Sequence, residues 1–505
     1  MRDLNAMLLC DFYKLSHRAQ YPTGTEKVYS TWTPRASRMK GVDHVVAYGF
    51  QGFIKKYLIQ FFNNEFFSRP IAEITEQYSR IIKGTLGVEE PDFSHIVALH
   101  KLGYLPIKIK ALPEGTKTPL RVPMMTIQNT HKDFAWLTNY LETLASCELW
   151  QACTSATIAD QYRQILDKYA NKTVGNTEFV QFQGHDFSMR GMSSLESAMI
   201  SGSGHLLSFA GTDTIPAVSY LEEYYNADVT KELVGTSIPA TEHSVQCAYG
   251  NDDLYLKRMM TEVYPTGPVS IVSDGYDFWD VIGRVLPSLK EDILARGGDR
   301  GPEFLDKVVI RPDSGDPVKI VCGDPSIGAL IKDLEIYSKE DEMIAKGAVE
   351  CLWDIFGGHV NEQGYKVLNP KIGLIYGDAI TLNRCEEICK QLEAKGFAST
   401  NVVFGIGSYT YQYNTRDTFG FALKSTLCVI DGDEKQIFKD PKTDNGIKKS
   451  QKGRVVVLEK DGELTFMDGL SLEDKMSKDL LKTVFCDGKL VIDQKLEDIR
   501  ERVRK

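Results

Sequence analysis

Arginine, aspartate and serine directly follow a short apolar run in KVVIRPDSGDP, residues 307 to 317. The β-branched run predicts a buried strand, which places Arg311, Asp313 and Ser314 at the carboxyl end of that strand. An arginine there suits a phosphate group, and an aspartate suits a sugar hydroxyl or a metal ion. Because α/β enzymes carry their chemistry at this end of their strands, the segment is a candidate catalytic site.

The same design recurs along the middle of the chain. Apolar runs of about a strand's length break into Gly, Asp or Ser in PVSIVSDGYD (268–277), KIGLIYGDAI (371–380) and NVVFGIGSYT (401–410). Weaker copies are EFVQFQGHDFSMRG (178–191) and SFAGTDT (208–214), and helical patterns such as residues 288–296 and 386–395 lie between them. This alternation predicts an α/β barrel-like domain whose loops face one site.

The segment HDFSMRGMSSLESAMISG contains a candidate anion site. The Ser193-x-x-Glu196 spacing is that of a capping box, which predicts a helix beginning just after Arg190. A helix N-terminus beside an arginine attracts anions. An ion pair between Arg190 and Asp186 is an equally good interpretation, and Phe187 alone is typical of a core residue.

Two further polar residues have both a functional and an ordinary interpretation. His243 falls in the first turn of a helix predicted to begin after Pro239, where a lone histidine usually makes a structural polar contact. Asp213 lies in a small-residue loop after a strand, a common place for a turn aspartate.

Glycines end two of the predicted strands. Gly377 with Asp378, and Gly405 with Gly407, would let a phosphate approach the backbone, and an aspartate suits ribose hydroxyls. The second pair lacks the third glycine of a dinucleotide fingerprint, so that signal is weak. Arg416 follows closely enough to bind the phosphate in a bidentate manner.

Composition excludes several classes of protein. The 505 residues are enough for two or more domains, and no segment resembles a signal peptide or a membrane span, so we expect a cytoplasmic protein. The net charge of −10 argues against nucleic-acid and membrane surfaces as partners. Ten scattered cysteines without a CxxC pair or a zinc spacing predict reduced thiols.

Strands at both ends of the chain predict a discontinuous domain. Residues 1–150 are typical of a mixed α+β sheet domain, residues 151–420 of the α/β barrel, and residues 421–505 supply strands that return to the N-terminal sheet. The basic loop at residues 439–454 is typical of a solvated hairpin.

Three functions suit a pocket with arginines, aspartates and one aromatic side chain. They are a phosphoribosyl transferase, a barrel glycosidase with two carboxylates, and a nucleotide-sensing module without turnover. A glycosidase has little use for so many arginines. The sensing module shares most of its residues with a transferase and stays open at this point.

The motifs taken together carry a family resemblance. HDFSMRG, GTDT, PATEHS, PVSIVSDGYD, IRPDSGDP, YGD and TRD occur in this order, preceded by LLCDFYKLSHRAQYP and KVYS. The set closely resembles the nicotinamide phosphoribosyltransferase family over nearly the whole chain. The resemblance implies the second structural type of phosphoribosyltransferase, a homodimer with active sites at the subunit interface. It implies transfer of the 5-phosphoribosyl group from 5-phosphoribosyl 1-pyrophosphate to nicotinamide, and nicotinate is the alternative base. It also implies Mg²⁺ bound with the pyrophosphate group and ATP hydrolysis coupled to turnover.

The resemblance also implies roles at the base. Phe187 would stack on one face of the pyridine, and Tyr13 from the other subunit on the opposite face. Asp213 would accept a hydrogen bond from the carboxamide, and Asp11 and Ser270 would line the same pocket.

The remaining implied residues concern the phosphorylated substrate, with His243, Arg311 and Asp313 as the catalytic residues and His243 as the residue that ATP phosphorylates. The implied contacts are Arg190, His243 and Arg311 with nearby Asp274 for pyrophosphate, Asp313, Gly377 and Asp378 for ribose, Gly407, Ser408 and Arg416 for the 5′-phosphate, and Arg35 and Lys439 for pyrophosphate from the other subunit. The family tends to have glycine where Ser408 stands, so we expect the phosphate loop of this chain to differ in detail from that of the family.

Overall fold

Two sheets of different kinds organise residues 4–298, 305–334, 337–438 and 450–505, which this computed structural model describes. The chain divides into two compact units. The antiparallel unit comprises Met1–Thr157, Ser219–Asp228 and Asn414–Lys505, and the parallel unit comprises Ile158–Val218 and Val229–Tyr413. The domain boundaries expected at residues 150 and 420 stay predictions.

The strands of the described residues are numbered in chain order. They are β1 (Thr25–Thr33), β2 (His44–Val46), β3 (Ile107–Ala111), β4 (Lys117–Pro119), β5 (Met125–Asn129), β6 (Gly184–Asp186), β7 (Gly211–Thr212), β8 (Val269–Val272), β9 (Val308–Arg311), β10 (Gly358–Val360), β11 (Lys366–Leu368), β12 (Ile372–Tyr376), β13 (Val402–Ile406), β14 (Ala422–Ile430), β15 (Asp433–Gln436), β16 (Arg454–Lys460), β17 (Glu463–Leu470), β18 (Lys482–Cys486) and β19 (Lys489–Leu490).

The antiparallel unit contains a seven-stranded sheet in the order β15-β14-β1-β5-β3-β18-β19. β14 pairs with β1, and β18 pairs with β3, so the C-terminal strands complete the N-terminal sheet as the sequence predicts. Period-2 burial along β3 puts Ile107, Ile109 and Ala111 into the core and turns the alternate lysines away from it. The α- and π-helices that begin in this unit are Lys14–Gln20, Phe50–Phe53, Ile54–Phe61, Asn63–Phe67, Ile71–Leu86, Ser94–Leu102, Leu137–Tyr140, Glu142–Thr173 and Leu496–Arg504.

The parallel unit contains a six-stranded parallel sheet in the order β7-β6-β13-β12-β9-β8. Its central strands are buried apolar runs, as parallel strands covered on both faces must be. Isolated parallel bridges join Gly211 of β7 to Thr236 and Ser270 of β8 to Ala240, so one irregular segment contacts both edge strands. The predicted α/β class is confirmed. The barrel-like sheet is this parallel sheet, which is curled into a half-barrel, and the discontinuous domain is the antiparallel unit.

Helices cover the strands of the parallel unit. The α- and π-helices that begin there are Val180–Gln183, Leu195–His205, Ile215–Tyr225, His243–Tyr249, Asp252–Arg258, Met259–Val263, Phe278–Asp280, Val281–Val285, Leu286–Ser288, Lys290–Leu294, Pro317–Cys322, Pro325–Leu334, Lys339–Lys346, Ala348–Phe356, Leu382–Ala394 and Ser408–Gln412. Among the described residues, none of the helices has both the length and the apolar character that crossing a membrane requires.

Two local predictions in the HDFSMRG region are wrong. The apolar residues before this motif form the short helix Val180–Gln183, and only Gly184–Asp186 is strand. The following helix begins at Leu195 rather than just after Arg190, because the side chain of Ser194, not that of Ser193, accepts the hydrogen bond from the Ser197 N–H.

Candidate active site

A pocket of about 1130 Å³ lies in the parallel unit, beside the carboxyl ends of its strands. Residues that follow five different strands contribute to its lining, as expected for a sheet whose loops face one site. Of the residues selected from the sequence, those that line it are Phe187, Arg190, Asp213, Arg311, Asp313, Gly377, Asp378, Gly407 and Ser408.

The Phe187 ring is held against the ends of β12 and β13. Its backbone N–H donates to the Ile406 carbonyl at 3.0 Å, which continues the pairing of β6 with β13. A Cβ added at Gly405 would lie 2.4 Å from the ring, and one added at Gly377 would lie 2.9 Å from it. Glycine is therefore required at both strand ends for the aromatic ring to occupy this position.

Asp213, directly after β7, has a carboxylate fixed by two neighbours. His185 Nε2 lies 2.8 Å from Asp213 Oδ1, and the Ser237 hydroxyl donates to the same oxygen at 2.7 Å. Burial raises the Asp213 pKa, but hydrogen bonds from His185 and Ser237 and the charge of Arg311 outweigh it and leave the pKa below its ordinary value. Asp213 therefore presents an ionised acceptor to the pocket, with no hydrogen bond at Oδ2 from the described residues.

A second histidine and aspartate pair lies at the end of β8. His243 Nε2 is 2.9 Å from Asp274 Oδ1. Asp274 Oδ2 accepts from the Asp313 N–H at 2.8 Å and from the Ser314 hydroxyl at 2.6 Å. Burial raises the pKa of Asp274, but these hydrogen bonds outweigh it and the pKa is lowered. The carboxylate thus connects His243 to the loop that carries Asp313.

Arg311 and Asp313 keep polar atoms without hydrogen bonds at the end of β9. Arg311 donates through Nη2 to the Thr241 carbonyl at 2.6 Å, and its Nε lies 3.4 Å from Asp313 Oδ2. That contact lacks hydrogen-bond geometry, so Arg311 Nε is buried without a hydrogen-bond partner among the described residues. The other carboxylate oxygen, Asp313 Oδ1, is also buried without a partner among them. Burial raises the pKa of Asp313 against the opposing charge of Arg311. Unsatisfied buried polar atoms of opposite charge are suited to a polar ligand.

The loop after β13 brings Ser408 against the Arg190 segment. Gly407 precedes the short helix Ser408–Gln412, and a Cβ added at Gly191 would lie 2.0 Å from Ser408 Oγ. Glycine at position 191 therefore accommodates the Ser408 side chain. Arg190 is exposed, and Asp186, its suggested ion-pair partner, is buried and accepts from the Thr214 hydroxyl at 2.7 Å instead.

Sequence reasoning missed three residues of this site. His185 and Ser237 orient Asp213, and Arg384 lines the pocket while its Nη1 donates to the Ala379 carbonyl at 2.7 Å. His185 reaches Asp213 because the parallel pairing of β6 with β7 places it opposite Gly211, and the sequence carries no signal of that pairing. The sequence carries no signal for Ser237 either, because it lies in the irregular segment between the two edge strands.

The remaining selected residues lie outside this lining. Ser270 is buried on β8 with its hydroxyl unpartnered among the described residues. In the antiparallel unit, Asp11 accepts from the Thr143 hydroxyl at 2.9 Å, and Tyr13 is exposed with its ring edge-on to His17 at 4.8 Å.

Two predicted phosphate-binding arginines belong to the antiparallel unit. Arg35 donates through Nε to the Gly420 carbonyl at 2.7 Å, and its pKa is lowered by burial and by the like charge of Arg416. Arg416 lies on the 3₁₀ helix Arg416–Thr418 and pairs with Asp417 at 3.6 Å. The two cations are therefore near one another. Lys439 lies outside the described residues.

Comparison with protein families matches both parts of the chain. Residues 182–489 match the nicotinate phosphoribosyltransferase (NAPRTase) family, and residues 5–109 match the nicotinamide phosphoribosyltransferase N-terminal domain. A protein of Acinetobacter baylyi named nicotinamide phosphoribosyltransferase is 49% identical, over 99% of this chain and 97% of its own length. A protein of Mycoplasma pneumoniae with the same name is 36% identical, over 87% and 93% of the two chains.

Solved structures support the fold. A structure described as nicotinate-nucleotide pyrophosphorylase from Pyrococcus furiosus matches with a TM-score of 0.55 at 14% identity, covering 99% of this chain and 94% of that one. Human nicotinic acid phosphoribosyltransferase matches with the same TM-score and identity, covering 98% and 93%. At this level of identity the likeness concerns the fold alone.

Proposed function

The chain belongs to the nicotinamide phosphoribosyltransferase family, and from that premise we propose that the pocket of the parallel unit is where it joins nicotinamide to 5-phosphoribosyl 1-pyrophosphate. The products are nicotinamide mononucleotide and pyrophosphate, a step of NAD salvage. The observation that carries this proposal is the ionised Asp213 carboxylate in the same pocket as the Phe187 ring and the Arg311–Asp313 pair.

Nicotinamide fits the Phe187 and Asp213 side of the pocket. The aromatic ring offers a flat face for the pyridine, and Asp213 Oδ2 accepts a hydrogen bond from the carboxamide NH₂. Nicotinate would bring its own carboxylate against Asp213 in a partly desolvated site, where like charges repel strongly. This electrostatic argument favours nicotinamide over nicotinate, although the family that matches residues 182–489 is named for nicotinate.

Phosphoribosyl pyrophosphate fits the arginine and aspartate side. In the proposed reaction the bond from the anomeric carbon to pyrophosphate breaks while the pyridine nitrogen attacks that carbon through its lone pair. Positive charge develops on the ribose and negative charge on the leaving oxygens, which Arg311 and Arg190 stabilise. Asp313 and Asp378 accept from ribose hydroxyls. No general base is required, because the neutral pyridine nitrogen carries no proton.

Magnesium is the proposed metal, bound together with the substrate. Among the described residues, no group of three or more His, Cys, Asp or Glu side chains is arranged to hold an ion. The unpartnered Asp313 Oδ1 fits a hard cation whose other ligands are substrate oxygens. When bound, Mg²⁺ neutralises charge on the pyrophosphate. We expect chelation with EDTA to abolish product formation and added Mg²⁺ to restore it; full activity in EDTA would contradict the assignment.

ATP coupling is proposed through His243. Its ring is half exposed, and the hydrogen bond from Nε2 to Asp274 leaves the Nδ1 lone pair available. In the proposed step, Nδ1 attacks the γ-phosphorus of ATP, the bond to ADP breaks, and ADP leaves with the electron pair. The Asp274 carboxylate stabilises positive charge on the ring during that step.

A homodimer is proposed because Tyr13 and Phe12, both exposed aromatic residues, lie in the motif that the resemblance assigns to the partner's site. Mixing Tyr13→Ala protein with Phe187→Ala protein should restore part of the activity once subunits exchange. Mixed dimers that form and remain inactive would contradict a shared site.

A cytoplasmic location is proposed because all ten cysteines are free thiols.

The experiment that tests the function is an assay with phosphoribosyl pyrophosphate and three bases in parallel, namely nicotinamide, nicotinate and quinolinate. We expect mononucleotide from nicotinamide with a strong preference over the two acids. Equal use of nicotinate would overturn the role of Asp213, and absence of product from all three bases would favour the nucleotide-sensing alternative.

A further inference from the structure

A second pocket of about 590 Å³ lies in the antiparallel unit and shares no lining residue with the first. Strand register explains its position. Tyr29 of β1 and Lys108 of β3 both pair with Gln128 of β5, so the three side chains form one row across the sheet. Lys110 pairs with Thr126 in the next row. Because side chains alternate along a strand, these residues share the sheet face opposite the apolar core.

The lining of this pocket is rich in cations. Five of its side chains are Lys or Arg and two are carboxylates, in a chain whose net charge is −10. The lining cations are Lys27, Lys108, Lys110, Arg454 and Lys475. A concentration of positive charge against the overall charge of the chain points to a local function rather than to general surface composition.

These cations differ in whether an anionic or carbonyl group of the protein lies next to them. Lys110 is neutralised by Asp479 at 2.8 Å, and Arg454 donates to the backbone carbonyls of Ser471 and Asp474. Lys27 and Lys108 are half buried, and neither has a carboxylate at ion-pair distance among the described residues. A half-buried pair of like charges without a counter-ion is unfavourable unless an anion joins it.

Two nearby carboxylates accept hydrogen bonds from the backbone. Both oxygens of Glu434 accept from the Leu472 N–H, at 3.0 and 3.3 Å, and Asp474 accepts from the Ser471 N–H at 2.7 Å. The pKa of Lys27 is lowered by burial and then by the charge of Lys108, with Glu434 opposing them more weakly. The charge on Lys108 therefore outweighs that carboxylate at Lys27.

We propose that the pocket bounded by Lys27 and Lys108 binds a small phosphate-bearing anion. Two ammonium groups would pair with the phosphate oxygens, and the Gln128 amide lies on the same sheet face to donate a further hydrogen bond. Free phosphate and the phosphate chain of a nucleotide share this chemistry. The site does not depend on the proposed transferase reaction.

Chemical footprinting tests the site directly. The full chain is acetylated with a water-soluble ester, with or without inorganic phosphate or ATP, and labelling of each lysine is quantified by mass spectrometry. Chloride at equal ionic strength provides the reference. We expect phosphate or ATP to slow the labelling of Lys27 and Lys108, while the exposed Lys460 reacts equally in all samples. Protection at lower concentrations of ATP than of phosphate identifies the nucleotide as the ligand, and the reverse identifies free phosphate.

Variants provide a second measurement. Phosphate should raise the Tm of the wild-type chain and of the control Lys460→Met more than that of Lys27→Met/Lys108→Met. Charged hydrogen bonds are worth enough that each lysine should contribute roughly tenfold in affinity. Mononucleotide formation by the double variant should be unchanged. Labelling of Lys27 and Lys108 that neither anion slows would overturn the inference, whereas protection in a chain without transferase activity would overturn only the proposed function.

Discussion

Two histidine and aspartate pairs lie near strand ends of the parallel unit and present opposite members to solvent. In the first pair the Asp213 side chain is 47% exposed and His185 is 12% exposed. In the second pair His243 is 48% exposed and Asp274 is 2% exposed. The distances from Nε2 to carboxylate are nearly equal, at 2.8 and 2.9 Å.

The difference in exposure assigns different chemistry to the same two residue types. At the first pair the histidine is the support and the carboxylate faces the pocket, which suits acceptance of a hydrogen bond. At the second pair the buried carboxylate is the support and the imidazole is presented, which suits proton or phosphoryl chemistry. A residue type therefore indicates a role only after its neighbours determine which atoms a ligand can reach.

The largest expected effect concerns Asp213→Ala. A hydrogen bond to a charged group is worth about 1.5 to 3 kcal/mol, so kcat/KM for nicotinamide should fall by about one to two orders of magnitude. Nicotinate use should be unchanged or improved, because the substitution removes a repulsion. Steady-state kinetics with both bases measure the two effects in one preparation, and equal losses for both would make Asp213 a structural residue.

The second prediction concerns His243→Ala at the other pair. Incubation with ATP should label the wild-type protein in an acid-labile, base-stable manner, and the variant should lose both the label and the stimulation by ATP. Slow basal synthesis should persist, because the bond-forming step needs no proton from this residue. His359→Ala, at an exposed histidine of β10, is the matched control and should retain both. Label that survives in His243→Ala would assign phosphorylation to another residue.

Much of the parallel unit could be predicted from the sequence, because buried parallel strands are apolar runs that end in polar residues. KVVIRPDSGDP and KIGLIYGDAI became β9 and β12, and their polar ends line the pocket. The prediction was wrong where local signals compete. Serine is a common helix N-cap, so both Ser193 and Ser194 are candidates by residue type. Only the backbone geometry shows that Ser194 is the N-cap.

The pairing of site residues could not be predicted in the same way. His185 and Asp213 are 28 positions apart, and they meet because β6 and β7 are parallel neighbours. Ser237 reaches Asp213 because isolated bridges hold residues 236–240 against both edge strands. Such contacts depend on the curvature of the sheet, which the spacing of apolar residues in the sequence does not predict.

The smallest expected effect concerns stability and its dependence on pH. Asp274 has a lowered pKa in the folded chain, so its contribution to stability is present above its unfolded value of about 3.9 and is lost as pH falls through the folded value. Asp274→Asn should lower the free energy of unfolding at pH 7 by about 1 to 3 kcal/mol, because the substitution removes the charge-assisted hydrogen bonds that the buried Asp274 carboxylate accepts. Asp213→Asn should cost less, since the Asp213 carboxylate is half exposed and solvent screens its contacts. Denaturant unfolding at several pH values measures both, with Asp378→Asn, at an exposed carboxylate after β12, as the control. The difference between wild type and Asp274→Asn should shrink toward acid pH, and a difference that is constant from pH 7 down to acid unfolding would contradict an ionised, hydrogen-bonded Asp274.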